Sequence, residues 1–121
     1  MSTRIIKINR GDSIEIPLEV ADRTGTYMLT TNDALYFALM TPHQRIEDAV
    51  VLKGYTWEEQ DQKSGEIILK LTPYDTKYLT PGVYYYCAKL QKGGSLNDLG
   101  ASEEPTEVIT VIERTKFIIN E

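Results

Sequence analysis

The chain has 121 residues, 41% of them hydrophobic and 26% charged, with a formal net charge of −5. That is about one domain's worth of ordinary globular sequence, long enough to bury a core without disulfides. The acidity disfavours nucleic acid as a partner, because phosphate binding needs a basic patch and none is visible. The single cysteine, Cys87, excludes an internal disulfide and fits synthesis in a reducing compartment. Ser2-Thr3-Arg4 after Met1 does not read as a signal peptide, and no run reaches the apolar length of a membrane helix. The expectation is cytoplasmic synthesis and no membrane partner.

Taken in order, Arg4 to Ile8 is a short β run and Asn9 to Asp12 a turn. Ser13 to Val20 alternates, with Ile14, Ile16, Leu18 and Val20 on one face. Pro17 lacks an N–H, which places this strand at or near an edge. Ala21 to Asp33 reads as a loop whose Tyr27-Met28-Leu29 can dip back to close one end of the core. Ala34 to Met40 is apolar on both parities, the mark of a central strand covered on both faces. Thr41 to Asp48 is a polar loop. Ala49 to Lys53 and Tyr55 to Glu59 read as two weak strands broken at Gly54.

Gln60 to Ser64 is a hairpin loop, with Gly65 at a position suited to positive φ. Glu66 to Thr72 alternates again, Ile67, Leu69 and Leu71 facing inward. Thr72 is a good N-cap, Pro73 suits the first helical position, and Asp75 can face the free N–H groups. This predicts one helical turn over 73–78, stopped by Pro81-Gly82. Val83 to Leu90 is the next strand, with Tyr84 and Tyr86 inward. Cys87 is then on the outer face, with Tyr85, Lys89 and Gln91. Lys92 to Glu104 is Gly-rich and reads as the most mobile internal loop, ended by Pro105. Thr106 to Ile112 and Lys116 to Asn120 are two β runs, or one strand interrupted at Glu113-Arg114. About eight short strands and no βαβ signal predict an all-β, antiparallel sandwich with one short helical turn, in a single domain over 1–121.

Reactive patterns are scarce. His43 is the only histidine and sits in a polar loop, so neither a Ser–His–Asp nor a Cys–His arrangement is readable. One His and one Cys make no zinc site, and Lys63 falls where a calcium loop over 61–66 needs an oxygen. No catalytic, cofactor or metal site is expected. Arg10-Gly11-Asp12 is an adhesive tripeptide in other settings, but Gly-Asp between two strands is ordinary turn chemistry. The aromatics are the informative class: eight Tyr, one Trp and two Phe. Tyr55, Trp57, Tyr74, Tyr78 and Tyr85 are the candidate interaction surface, since Tyr and Trp join apolar area to a polar tip.

The run Tyr84-Tyr85-Tyr86-Cys87-Ala88-Lys89 after Asp75 superficially resembles the antibody variable domain. No second cysteine lies on an early strand, and that register would point Lys89 and Gln91 inward. A second resemblance spans nearly the whole chain. Arg10 to Ser13 leads into an alternating strand, and a central strand follows at Leu35 to Leu39. Then come Gly65 to Leu71, Leu71-Thr72-Pro73-Tyr74-Asp75-Thr76, Leu79, Pro81-Gly82, Tyr84 and Tyr86, and a closing run from Thr110 to Ile119. In this the chain resembles the small immunoglobulin-like proteins of phage and prophage structural modules of Gram-positive bacteria, usually associated with tail or baseplate genes. The resemblance implies an immunoglobulin-like fold and a non-enzymatic structural or interaction role. The partners it implies are the chain itself, as a homo-oligomer, or other phage tail proteins, and the destination it implies is the virion after assembly. The alternative is a carbohydrate-binding or host-attachment module built on the aromatics, Trp57 foremost.

Overall fold

The computed structural model describes residues 5–93 and 107–121. The Arg4 end of the first β run, and 94–104 of the expected mobile loop with Pro105, lie outside the described residues; Lys92, expected to open that loop, instead ends the strand Gly82–Lys92 and pairs with Asp22. The chain is all-β. Among the described residues nine strands run β1 (Ile6–Asn9), β2 (Ile14–Glu19), β3 (Ala21–Asp22), β4 (Gly25–Thr26), β5 (Ala34–Met40), β6 (Val51–Tyr55), β7 (Glu66–Leu71), β8 (Gly82–Lys92) and β9 (Glu107–Asn120). One four-residue helix, α1 (Pro73–Thr76), lies between β7 and β8.

A five-stranded sheet has the order β1-β9-β8-β5-β6, and β2 pairs with β7 in a second sheet. The two sheets share one core. Leu18, Ile67, Leu69 and Leu71 from the small sheet meet Leu35, Phe37, Leu39, Tyr84, Tyr86, Phe117 and Ile119 from the large one. Tyr86 lies between Phe37 and Phe117, with ring centroids 6.1 and 6.0 Å away. Alternation accounts for β2 and β7, whose register sets Ile16 opposite Leu69 and Leu18 opposite Ile67. Ile14 and Ile16 are only half-buried, although Leu71 and Leu69 opposite them on β7 are buried. Pro17 lies on a strand hydrogen-bonded on one side only, as its missing N–H requires.

β5 is interior, between β8 and β6, and all but Tyr36 of it is buried. The loop after β2 holds the two-residue hairpin β3–β4, and Leu29 is buried behind it. Gly65 has φ +76°, and a Cβ there would lie 2.5 Å from Thr26 Cγ2, so only glycine fits. The expected break at Gly54 is absent: β6 runs through it. The second weak strand, Tyr55 to Glu59, is also corrected. Trp57–Glu59 is a 3-10 turn, because Thr56 and Glu59 cap it reciprocally.

β9 is a single strand. Tyr86 faces Thr115 while Ala88 faces Ile112, so Cys87 opposes both Glu113 and Arg114, and a second shift follows before Lys89. These bulges move the buried parity, from Ile112 to Phe117 and Ile119.

Cys87 is on the outer face, as alternation requires, and is nonetheless buried, at 2% exposure. It forms a satellite core with Ala38 and Met40, covered by Ile46, Ala49 and Leu52. Bulged Arg114 fastens that cover, donating from Nη2 to the Gln44 carbonyl at 2.6 Å and touching Met40 Sδ at 3.3 Å.

Candidate functional site

The strongest surface feature is the rim formed by β6 and α1. Thr72 caps α1 in a reciprocal box: its hydroxyl accepts from Asp75 N, and Asp75 Oδ2 accepts from Thr72 N at 2.7 Å. The same Oδ2 also takes Lys53 Nζ from β6 at 3.0 Å. Burial works to raise the Asp75 pKa, but the bonds from Thr72 and Lys53 outweigh it and hold the group below its ordinary value. α1 is thereby latched against the edge strand. From below, Thr76, which is fully buried, accepts from Gly11 N at 3.1 Å and donates to the Asp12 carbonyl at 2.8 Å.

So held, α1 turns Tyr74 and the following Tyr78 into solvent at 71% and 75% exposure. Their rings meet edge to face, 6.0 Å apart and 89° inclined, with Lys77 Nζ 5.1 and 4.8 Å from the two centroids. A shallow groove runs between Tyr74, Asp75 and Val50 to Lys53. Beyond β6 no further strand is hydrogen-bonded among the described residues.

The five predicted aromatics do not share one face. Tyr74 and Tyr78 are in contact. Tyr55 ends β6 but is half-buried, and its hydroxyl accepts from Lys70 N on β7 at 3.0 Å, joining the two sheets. Burial raises its pKa against that hydrogen bond. Trp57 follows on the 3-10 turn at 42% exposure. Tyr85 is half-buried on the outer face of β8, opposite Met40 and Lys116, and β5 lies between it and the rim. Lys53, Lys77 and Val50, which complete the rim, were not singled out by the sequence; a lysine on an apolar strand parity was the available signal for Lys53.

The other polar features have structural duties. Arg10 pairs with Glu121 at 2.8 Å, and Asp12 Oδ2 accepts from Asn9 N, so the Arg10-Gly11-Asp12 turn is tied down at every residue. At the opposite end of the core, buried Asp33 accepts from Tyr27 Oη at 2.6 Å, Thr30 N and Gly93 N. Burial and the Asp33 bond push the Tyr27 pKa up to about 12. Lys92 bonds Asp22 at 2.9 Å and covers the Tyr27 ring at 4.2 Å. Burial raises the Cys87 pKa, only partly offset by Lys89 and Arg114, which leaves an unreactive thiol. His43 is exposed. Among the described residues, no group of three or more His, Cys, Asp or Glu could hold a metal ion, and no helix is long and apolar enough to cross a membrane.

No family model matches the chain, and no curated protein or solved structure matches it.

Proposed function

We propose that the chain is a non-enzymatic structural or interaction module of a phage or prophage particle, tail or baseplate associated, that works by surface complementarity at the β6–α1 rim. The observation that carries the interaction role is the exposed Tyr74–Tyr78 pair standing beside β6, the edge strand of the large sheet among the described residues. Solvent-facing aromatics beside a sheet edge suit a protein partner. An immunoglobulin-like fold is part of the same reading. It is supported by the order β9-β8-β5-β6 opposite β2-β7, which parallels G-F-C-C′ opposite B-E, and by the Tyr84 hydroxyl, which donates to the Thr80 carbonyl at 2.6 Å as in a tyrosine corner. The particle context rests on the sequence resemblance.

The test is to purify the chain with the tail and baseplate proteins encoded beside its gene and measure complex formation by light scattering. A complex that Tyr74→Ala/Tyr78→Ala abolishes, with thermal stability unchanged, supports the reading. Flanking glycoside hydrolase genes and no complex would sink it.

The carbohydrate alternative is less well supported. Sugar platforms present coplanar rings, and the Tyr74 and Tyr78 rings are perpendicular. Its signature would be saturable quenching of Trp57 fluorescence by a cell-wall polysaccharide.

A further inference from the structure

The outer face of the large sheet carries a cavity of about 380 Å³, lined by Ile46, Cys87, Lys89, Thr110, Glu113 and Arg114. That volume is in the range of small-molecule sites. The cavity lies where the β8–β9 ladder slips, and bulges of this kind re-aim side chains. Ile46, from the 3-10 turn Ile46–Asp48, and the buried Cys87 supply an apolar wall. The polar groups around it are unspent. The half-buried Lys89 brings an ammonium with no ion pair or hydrogen bond among the described residues, and the Thr110 hydroxyl has none either. Arg114 uses Nη2 on the Gln44 carbonyl and Met40 Sδ, which leaves Nε and Nη1 without an acceptor. Neither cation is paired with Glu113, although all three line the same space. Elsewhere the covered lysines are neutralised, Lys53 by Asp75 and Lys92 by Asp22. A partly desolvated ammonium with no carboxylate beside it is a cost that a bound anion offsets.

We infer that this cavity binds a small organic monocarboxylate. Its carboxylate is taken by the Lys89 ammonium, the Thr110 hydroxyl and the unspent nitrogens of Arg114, and its apolar body rests on Ile46 and Cys87. Charge selects the class. Two cations against the one carboxylate of Glu113 leave a single positive charge, which one negative charge balances. A dianion would place its excess beside Glu113. The thiol supports the same placement: Lys89 and Arg114 both act electrostatically on Cys87, so both charges reach the apolar wall. The site goes beyond the rim reading and is separate from it, since β5 lies between β8 and β6.

The experiment titrates the isotope-labelled full chain with benzoate, benzamide and phenyl phosphate, following the amide signals of Cys87 and Thr110 by NMR. The expected result is saturable benzoate binding below about 10 mM, with benzamide weaker by about tenfold or more and phenyl phosphate no tighter than benzoate. Lys89→Met should weaken benzoate by about tenfold or more with Tm unchanged, and Lys89→Arg should keep most of the affinity. Arg114 is left in place because it also holds the cover over Cys87. No saturation in that range, or benzamide binding as well as benzoate, overturns the site on the parent chain alone. Tighter binding of phenyl phosphate overturns the ligand class, and a Lys89→Met chain that binds benzoate like the parent overturns the role of Lys89.

Discussion

Replacing Thr76 by valine isolates one hydroxyl. The two side chains have nearly the same shape, so no cavity opens and the fully buried site stays filled. What disappears is the group that accepts from Gly11 N at 3.1 Å and donates to the Asp12 carbonyl at 2.8 Å. Leaving a buried donor or acceptor unpaired costs about 1–3 kcal/mol per group. Gly11 is only half-buried and Asp12 is exposed, so water can partly replace both bonds. The sum is then about 2 kcal/mol, and Tm should fall by roughly 6–10 °C. Urea titration followed by Trp57 fluorescence should show a lower midpoint with an unchanged slope. Thr76→Ser keeps the hydroxyl and should retain most of the stability. If Thr76→Val matches the parent within about 0.5 kcal/mol, the hydroxyl does not fasten α1 to the first turn and the latch is misassigned.

Truncating Phe37 or Leu69 to Ala should cost about 2–5 kcal/mol by denaturant titration, since both are buried in the shared core; a loss under about 1 kcal/mol would contradict that packing. Asp33 and Asp75 titrate below their ordinary 3.8, so their contribution is complete above about pH 4 and is lost as pH falls through the lowered values. Tyr27, raised from 10.0 to about 12, works oppositely: its contribution is complete below pH 10 and is lost as pH rises toward 12, which tyrosinate absorbance alongside circular dichroism will follow. Cys87 should react with a thiol reagent far more slowly than a free thiol. Arg114→Ala, which releases the Gln44 carbonyl, should speed the reaction by about tenfold through local opening, and an unchanged rate would mean Arg114 does not hold the cover down.

What was legible in the sequence was what is local. β2 and β7 alternate cleanly and were placed with their faces. α1 was found from Thr72, Pro73 and Asp75 within one turn. The outward placement of Cys87 followed from Lys89 and Gln91. Trp57 shows a local signal passed over: Thr56 and Glu59 have capping-box spacing, and that outweighed the β-forming aromatics beside them. Other features have no local signature. The bulges that carry Ile112 inward depend on how β9 meets β8. Tyr55 read as a free aromatic because its partner, Lys70 N, lies fifteen residues on in another sheet. The rim is similar: Lys53 and Asp75 become neighbours only when β6 and α1 fold against each other.

The parallel pairing of β1 with β9 has a mechanical consequence. Ile6 faces Phe117 and Asn9 faces Asn120, so the outermost strands in the chain lie side by side and run the same way. Tension applied between the two ends drags β1 backward and β9 forward along their common ladder. The load is then shear, carried by evenly spaced bonds at once, where a hairpin would yield one bond at a time. Arg10 N bonded to the Asn120 carbonyl at 2.7 Å and Arg10 paired with Glu121 extend that ladder past its last strand pair. Pulled apart at the start of β1 and the end of β9, the ladder is loaded along its length.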